Sequence, residues 1–367
     1  MELINATRMV AGYTMGTEPS GRESLIVVVK GTFHLPAAGE AVRLAEEQVP
    51  LVMADTFTGQ PGYSAPYYEV DYAPHKARCD VLLLGSAHAP GGRPATRVPV
   101  GLRVGNMTKQ FAVVGDRVWQ AGATRIEASA PVPFVWKAIT YDVAFGGVDQ
   151  EHDDPTQHAA FMANPVGRGF RRHLRRDWVD GRLLPNTEEL NRPVTRPDDV
   201  YRPMSFGVLG RGWTPRLGYA GTYDDEWLEK YFPFLPPDFD ERYYSAAPGD
   251  QQLAMPVGRA EVMLVNLTPD GRRSFVLPDF EAPVLVVPKR GEPEDYRARV
   301  DTIVFEPELE RFTMSWRVRR PLARNMFEIA RVLVGRKGAE WWQQRRAITF
   351  PVPVVMESMS RGSVRDE

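Results

Sequence analysis

Two histidines and two carboxylates lie close together in the sequence HDDPTQH, and these residue types could bind a divalent metal. His152, Asp153, Asp154 and His158 fall within seven residues. Pro155 breaks any helix that would align the two imidazoles, and no third histidine or cysteine stands at a usual ligand spacing. We interpret the segment as a solvated loop and predict no metal site, with a metal-dependent hydrolase as the alternative.

His88 is the other histidine whose surroundings suggest chemistry. It follows a predicted buried strand and precedes a Gly-rich turn in GSAHAPGG, so it could act as a general base or contact an anion. The sequence assigns it no serine, cysteine or acidic partner, which favours a strand-end histidine. Cys79, the single cysteine, is expected to pack rather than react. We predict a protein that is not an enzyme, and a hydrolase using His88 or the His152/His158 pair is the alternative.

The glycine-rich sequences AFGG and NPVGRGF resemble phosphate-binding loops only superficially. Neither has the spacing of a dinucleotide or triphosphate motif, and neither joins a clear strand to a helix. Glycines here are better explained by positive φ angles or close backbone approach. We therefore expect no nucleotide and no other cofactor.

Basic residues are concentrated in RGFRRHLRRDWVDGR, where only Asp177 and Asp180 oppose them. In a helix, residues four apart share a face, so the spacing of this segment would align its arginines in a positive stripe. A solvated face is the first interpretation, an acidic protein surface the second and nucleic acid the least favoured. The candidate partner-binding residues are Arg168, Arg171, Arg172, Arg175, Arg176 and Trp178.

The elements that must position these residues are mainly β-strands. Apolar runs bounded by Gly and Pro predict strands at Ser24–Phe33 and Asp80–His88, and a three-strand meander over RVPVGLRV, TKQFAVV and RVW. Asp270-Gly271 predicts a hairpin, and APVLVVP, RVDTIVFEP and ERFTMSWRVRR predict further strands. Asp224 or Thr222 can cap a short helix, and Leu322–Val334 has helical spacing. The fold class is mainly β: packed antiparallel sheets, sandwich-like, with long ordered Gly/Pro/aromatic-rich connections and a short helical C-terminal segment.

The predicted organisation has five parts, which could together form one compact domain. They are an N-terminal β-rich block (1–130), a loop-rich central region with short helices (131–255), a second β-rich block (256–320), a helical segment (321–346) and a C-terminal tail (347–367). The central region is rich in aromatic residues, which disordered linkers lack and which we expect to be buried. Long ordered connections of this kind are usually functional surfaces.

Composition limits the function classes. The 367 residues carry a formal charge of −2, so no global field draws the chain to nucleic acid or to an anionic membrane. The N-terminal sequence lacks the basic and apolar regions of a secretory signal, and no run approaches the roughly 20 apolar residues of a spanning helix. With a single cysteine, this pattern is typical of a cytoplasmic protein.

Several motifs that follow neither helical nor strand periodicity occur in a fixed order along the chain. They are GSAHAPGG, GDRVW, YDVAFGG, NPVGRGF, LPN with Glu188 two residues on, GTYDDEW, FPFLPPDFD, LPDF, DTIVF and WRVRR. From about residue 20 to about residue 320, the chain resembles a bacterial family of unknown function linked to type VI secretion, whose members are similar to adaptors or chaperones encoded beside spike and toxin genes.

The resemblance implies a non-enzymatic role: the protein would hold a cognate toxin effector in the cytoplasm and help to load it onto a spike or tip protein. From the chain's charge, its short apolar runs and its lack of a nucleic-acid-binding motif, we expect no membrane or nucleic-acid partner. The alternative within the same system is a permanent structural component of the secretion machine. We interpret the motif residues as a loop scaffold: Tyr141, Phe145, Gly146, Gly147, Asn164, Pro165, Gly167, Gly169, Pro185, Asn186 and Glu188.

Overall fold

A computed structural model describes residues 1–122, 124–214 and 216–337, and this part of the chain is mainly β. Its strands are β1 Glu2–Asn5, β2 Val10–Thr17, β3 Glu23–His34, β4 Cys79–Leu83, β5 Gly85–His88, β6 Arg97–Val104, β7 Met107–Val114, β8 Trp119–Ala121, β9 Ile126–Ala128, β10 Trp136–Ile139, β11 Phe145–Gly146, β12 Val148–Asp149, β13 Ala159–Ala160, β14 Arg168–Gly169, β15 Thr187–Glu188, β16 Gln252–Leu253, β17 Glu261–Val265, β18 Arg272–Val276, β19 Ala282–Pro288, β20 Glu294–Glu306, β21 Arg311–Pro321 and β22 Ile329–Val334. The remaining regular elements of the described residues are two short α-helices, α1 Arg176–Val179 and α2 Asp225–Lys230, and several 3-10 turns.

The larger sheet is built around β3, β20 and β21, the longest strands of the described residues. Its strands follow the order β1-β22-β19-β20-β21-β3-β2, and β4 joins β20 in parallel while β16 joins β4. β-branched residues favour strands because they pack well on a pleated surface, and Ile26 to Val29 supply them to the buried centre of β3. The sheet curls until its end strands, β1 and β2, come into contact.

The smaller sheet, ordered β15-β7-β6-β17-β18, packs against the larger one. A single cluster of buried apolar side chains includes Val27 of β3, Leu102 of β6, Phe111 of β7, Leu264 of β17 and Phe312 of β21. Each sheet therefore combines strands from the N-terminal range with strands from the range after residue 256. This confirms the mainly β, sandwich-like fold class.

The predicted meander is only two-thirds correct. β6 and β7 form the expected hairpin, but β8 pairs with β9 instead of β7. The place beside β7 is taken by β15 from the LPN motif, where Thr187 is opposite Val113. Trp119 of β8 packs in a separate apolar cluster with Phe145 and Leu184, which draws β8 away from the sheet.

The predicted C-terminal helix is wrong. Leu322–Val334 contains a 3-10 turn at Met326–Glu328 followed by β22, which pairs with β19 on one side and β1 on the other. Ile329, Val332 and Val334 are buried in these ladders, so tertiary pairing outweighs a helical spacing that one short segment shows by itself. The rest of the predicted helical segment, from residue 338, and the tail 347–367 lie outside the described residues.

Two local predictions are confirmed. The Asp270-Gly271 turn joins β17 to β18 as a hairpin, with Gly271 at a φ of 78°. Asp224 caps α2, since its Oδ1 accepts a hydrogen bond of 2.9 Å from the Trp227 backbone N–H. Among the described residues, no helix has both the length and the apolar composition to cross a bilayer.

Candidate functional site

Three of the sequence motifs meet in one buried knot. The motif knot comprises residues 141–147, 164–170 and 184–188. Asn164 lies at its centre, where Nδ2 donates hydrogen bonds to the carbonyl oxygens of Tyr141 (2.8 Å) and Phe145 (3.0 Å). The Asn164 carbonyl in turn accepts from the Gly147 N–H at 2.8 Å. Asn164 thus joins the first two motifs by hydrogen bonds. Pro165 lies in the turn that leads from Asn164 to Gly167.

Glycine is required in the knot because backbone approaches backbone. Gly146 has a φ of 150°, and a Cβ there would lie 2.1 Å from the Asn164 carbonyl oxygen. Gly169 has a φ of 95°, and a Cβ there would lie 2.7 Å from Cδ of Pro185. Side chains larger than hydrogen would clash at both positions in a backbone conformation that they rarely adopt.

The LPN motif extends the knot to the smaller sheet. Asn186 donates its backbone N–H to the Val143 carbonyl at 2.8 Å, and its Nδ2 donates to the Val114 carbonyl at 2.9 Å. Glu188 is buried, and its Oε2 accepts hydrogen bonds from Arg117 (3.0 Å) and the Val194 N–H (3.1 Å). These polar atoms of Asn186 and Glu188 are hydrogen-bonded within the protein, and the scaffold role of the motif residues stays a prediction.

The arginine segment, residues 168–182, is not the continuous helix that would align its charges. Only Arg176–Val179 is helical, because the carboxylate of Asp149 accepts the backbone N–H groups of Arg172 (2.8 Å) and His173 (2.9 Å) and holds them in an irregular conformation. Burial alone would raise the pKa of Asp149, but these backbone hydrogen bonds outweigh it and the pKa is lowered. The condition for a positive stripe, a continuous helix, is therefore not met, and the structure does not place Arg171 with Arg175 or Arg172 with Arg176 on one helical face.

Most of the arginines in this segment have partners within the protein, and several of these partners lie in other segments. Arg168 donates to the side-chain oxygen of Asn186 in the motif knot, and Arg171 lies 3.9 Å from Asp149. Arg175 pairs with Asp177 and stacks 4.4 Å from the centroid of the half-buried Trp178 ring. Arg182 pairs with Glu151 at 2.7 Å. Arg172 and Arg176 are exposed.

The histidine cluster is organised by local hydrogen bonds. His158 Nε2 lies 2.8 Å from the His152 carbonyl oxygen, and the Asp154 N–H donates to His152 Nδ1 at 3.0 Å. The Asp154 carboxylate caps the 3-10 turn at Pro155–Gln157. Within the described ranges, no group of three or more His, Cys, Asp or Glu side chains is arranged to hold a metal ion.

The structure places Cys79 and His88 on two strands, β4 and β5, that are consecutive in sequence but belong to different sheets. His88 ends β5, and its Nε2 lies 3.7 Å from Oε1 of Glu308. Cys79 begins β4 and is buried, which raises the pKa of its thiol well above the ordinary value. A neutral, enclosed thiol is a poor nucleophile.

Aromatic side chains that we expected to be buried form an exposed lobe instead. The aromatic lobe, residues 222–238, contains GTYDDEW in part and FPFLPP. Its exposed side chains range from Tyr231, 38% exposed, to Phe232, 62% exposed. The full set is Tyr223, Leu228, Tyr231, Phe232 and Phe234. Elsewhere in the described ranges, no stretch of twelve residues exposes more than three large apolar side chains.

Hydrogen bonds close the lobe at its neck and brace it inside. Asp238 accepts from the Thr222 N–H (2.9 Å) and hydroxyl (2.7 Å), which joins the two ends. Trp227 is the internal hub, because its Nε1 donates to the Phe234 carbonyl at 2.9 Å and its ring packs edge-on against Tyr223 and Phe232. The lobe is thus a closed loop with its own internal packing.

The lobe also contacts the turn between β2 and β3. The Phe234 ring occupies the space beside Gly21, where a Cβ would lie 2.8 Å from Cδ1 of Phe234. Gly21 has a φ of 81°, so both its conformation and its lack of a side chain admit the ring. This contact supports the base of the lobe and leaves its outer side chains exposed.

Comparison with known proteins identifies the family of this chain. Residues 20–317 match the sequence model of DUF2169, a family described as an uncharacterized protein conserved in bacteria. The chain belongs to this family. No curated protein and no solved structure matches the chain.

Both the motif knot and the aromatic lobe lie inside the part of the chain that matches DUF2169. Sequence reasoning identified the knot residues and treated the whole central connection as a functional surface, but it expected the aromatic side chains of the lobe to be buried. A usable signal was present: FPFLPP places three prolines among apolar residues, so this segment cannot form a helix or a central strand that would bury them.

Proposed function

We propose that this DUF2169 protein is an adaptor or chaperone of a bacterial type VI secretion system. In this proposal it binds a cognate toxin effector in the cytoplasm and promotes loading of that effector onto the spike complex. The order of its motifs supports the proposal through the family resemblance. The observation that carries the binding role is the aromatic lobe.

The lobe has the properties of a protein-binding surface. Five large apolar side chains are exposed within twelve residues, and large exposed apolar patches on soluble proteins mark interaction sites. Aromatic residues dominate binding energy at interfaces because they bury a large area with few rotatable bonds. The braces from Trp227 and Asp238 fix the lobe before binding, which reduces the entropy lost on association.

Co-expression tests the proposal directly. The tagged full-length protein is produced with the product of each adjacent open reading frame and analysed by size-exclusion chromatography. We expect one neighbour with a toxin domain to co-elute with the wild-type protein and with Arg172→Gln/Arg175→Gln, but not with Leu228→Ser/Phe232→Ser. Separate elution of every neighbour from the wild-type protein would contradict the adaptor function.

The fate of the protein separates an adaptor from a permanent component of the machine. A loading factor stays in the producing cell, whereas a structural component leaves with the spike. We therefore expect the protein in the cell fraction and not in the secreted spike fraction. Stoichiometric recovery with secreted spikes would favour the structural component.

A further inference from the structure

The aromatic lobe combines its apolar surface with a local excess of negative charge. Residues 222–238 contain five acidic residues and one lysine, although the whole chain has a formal charge of only −2. Asp224 caps α2, Asp238 closes the neck, and Glu226 pairs with Lys230 at 3.0 Å. Asp225 and Glu229 make no ion pair with any described residue. Two carboxylates beside the aromatic side chains are thus available to a partner.

The lobe is exposed along nearly its whole length. Every residue from 222 to 234 is exposed except Trp227, which is the internal hub. Large side chains exposed on nearly every turn of one short element are buried most completely in a concave surface of a partner. The partner must therefore supply the pocket, because the lobe supplies the side chains that fill one.

Charge decides what borders that pocket. Carboxylates at the edge of an apolar contact lose water on binding, and this loss is offset only if the partner places basic groups or hydrogen-bond donors opposite them. An acidic border would be repelled, and a purely apolar one would leave Asp225 and Glu229 partly desolvated. Lysine or arginine at the rim satisfies both carboxylates and speeds association.

We propose that the aromatic lobe is recognised by a concave apolar pocket of a protein partner whose rim carries lysine or arginine. The inference rests on the proposed adaptor function, in which this partner is the effector. It assigns Leu228 and Phe232 to the buried centre of the interface, and Asp225 and Glu229 to its charged border.

The effector that co-elutes in the co-expression experiment is the probe for the first test. Its affinity is measured at low and high salt for the wild-type protein, for Asp225→Asn/Glu229→Gln and for a matched control, Glu47→Gln/Glu292→Gln, which removes two exposed carboxylates elsewhere. We expect the lobe pair to weaken binding about threefold to tenfold at low salt and to reduce the salt dependence, as for two border ion pairs. The control pair should change neither.

A second test needs no effector. Two synthetic peptides, one of alternating leucine and lysine and one of alternating leucine and glutamate, are titrated into the full-length protein. We expect the lysine peptide to bind the wild-type protein at least about tenfold more tightly than it binds Leu228→Ser/Phe232→Ser, as loss of two apolar anchors requires. The glutamate peptide should bind neither protein measurably.

The outcomes separate the two proposals. If every genetic neighbour elutes alone, the adaptor function fails, and the peptides still report on the chemistry of the lobe. If an effector binds with an affinity that changes neither with salt nor in Asp225→Asn/Glu229→Gln, the inference of a basic rim is wrong while the adaptor function stands. Equal binding of the two peptides, or equal binding of the lysine peptide to wild-type and variant lobes, would also overturn the inference.

Discussion

The arginine segment and the aromatic lobe are both candidates for a partner surface, and they differ in how much of their binding capacity the protein itself uses. In the arginine segment, Arg171, Arg175 and Arg182 pair with nearby carboxylates and Arg168 is bound into the motif knot. In the lobe, five apolar side chains are exposed and two carboxylates lack an ion pair with the described residues. The difference favours the lobe.

Residues of one type that cluster in the sequence do not by themselves form a binding surface. Six arginines in fifteen residues stand out in the sequence, but the carboxylates that neutralise several of them come from other segments, such as Asp149 and Glu151. The lobe is less conspicuous in sequence because aromatic residues are usually buried.

Removal of the lobe's outer side chains should have the largest effect on binding. Leu228→Ser/Phe232→Ser is expected to weaken effector binding by about 3 kcal/mol or more, roughly 100-fold, because central apolar anchors dominate interface energy. Both side chains are exposed, so thermal unfolding should match the wild-type protein. Isothermal titration calorimetry measures the affinity. An unchanged affinity would contradict the conclusion that the lobe, rather than the arginine segment, is the interface.

Disruption of the motif knot should lower the stability of the fold as a whole rather than act on the binding surface alone. Asn164→Ala leaves the buried Phe145 carbonyl without its donor and leaves the Tyr141 carbonyl with only the Ala144 N–H at 3.2 Å, which is expected to cost about 2 kcal/mol in the free energy of unfolding. Urea unfolding measures the change. Asn191→Ala, at an exposed position, is the control and should have little effect. Equal stability of the two variants would show that Asn164 does not hold the knot.

The anchor of the arginine segment should respond to pH. The pKa of Asp149 is lowered in the folded protein, so its contribution to stability is fully present above the unfolded carboxyl pKa of about 3.9 and is lost as the pH falls through the folded pKa. Asp149→Asn is expected to destabilise the protein by about 1–2 kcal/mol at neutral pH. The difference from wild type should shrink in acid. A pH-independent difference would argue against an ionised anchor.

Opening the neck of the lobe should have a smaller effect. Asp238→Ala removes the two hydrogen bonds from Thr222, which is expected to weaken effector binding by about 1 kcal/mol through loss of preorganisation. Limited proteolysis should detect faster cleavage within residues 222–238. Wild-type affinity together with wild-type protease resistance would mean that other contacts close the lobe.

Changes in the arginine segment should have the smallest effect. Arg172→Gln/Arg175→Gln removes two exposed charges, and both the free energy of unfolding and the affinity for the effector are expected to change by less than about 0.5 kcal/mol. A tenfold loss of affinity would instead identify the arginine segment as the interface and reverse the comparison.

The sequence predicted those parts of the fold that depend on local pattern. Apolar runs located β3 and β4, although the run predicted as one strand, Asp80–His88, divides into β4 and β5 in different sheets. Asp270-Gly271 located a hairpin, and Asp224 located a helix cap. It could not predict that β22 would add to β19, because the partner strand lies some forty residues away and only pairing reveals that Ile329–Val334 is a strand. The motif residues were also visible, since they break every periodicity.

The candidate site was less predictable for a physical reason. Whether Phe232 is buried depends on which other segments pack against it, and the local sequence FPFLPP does not determine those contacts. Conversely, the charge of Arg171 could be counted in the sequence, but its distance from Asp149 depends on the turn that precedes β13. Exposure and pairing are tertiary properties, and they decide between the two regions.

Hydrogen–deuterium exchange on the complex of the full-length protein with its co-eluting effector tests the central claim most directly. The lobe's residues are exposed and its backbone hydrogen bonds are local, so its amides should exchange faster in the free protein than in the complex. We expect new protection across residues 222–234 and no change across residues 168–182. Protection confined to residues 168–182, with the lobe exchanging as in the free protein, would contradict it.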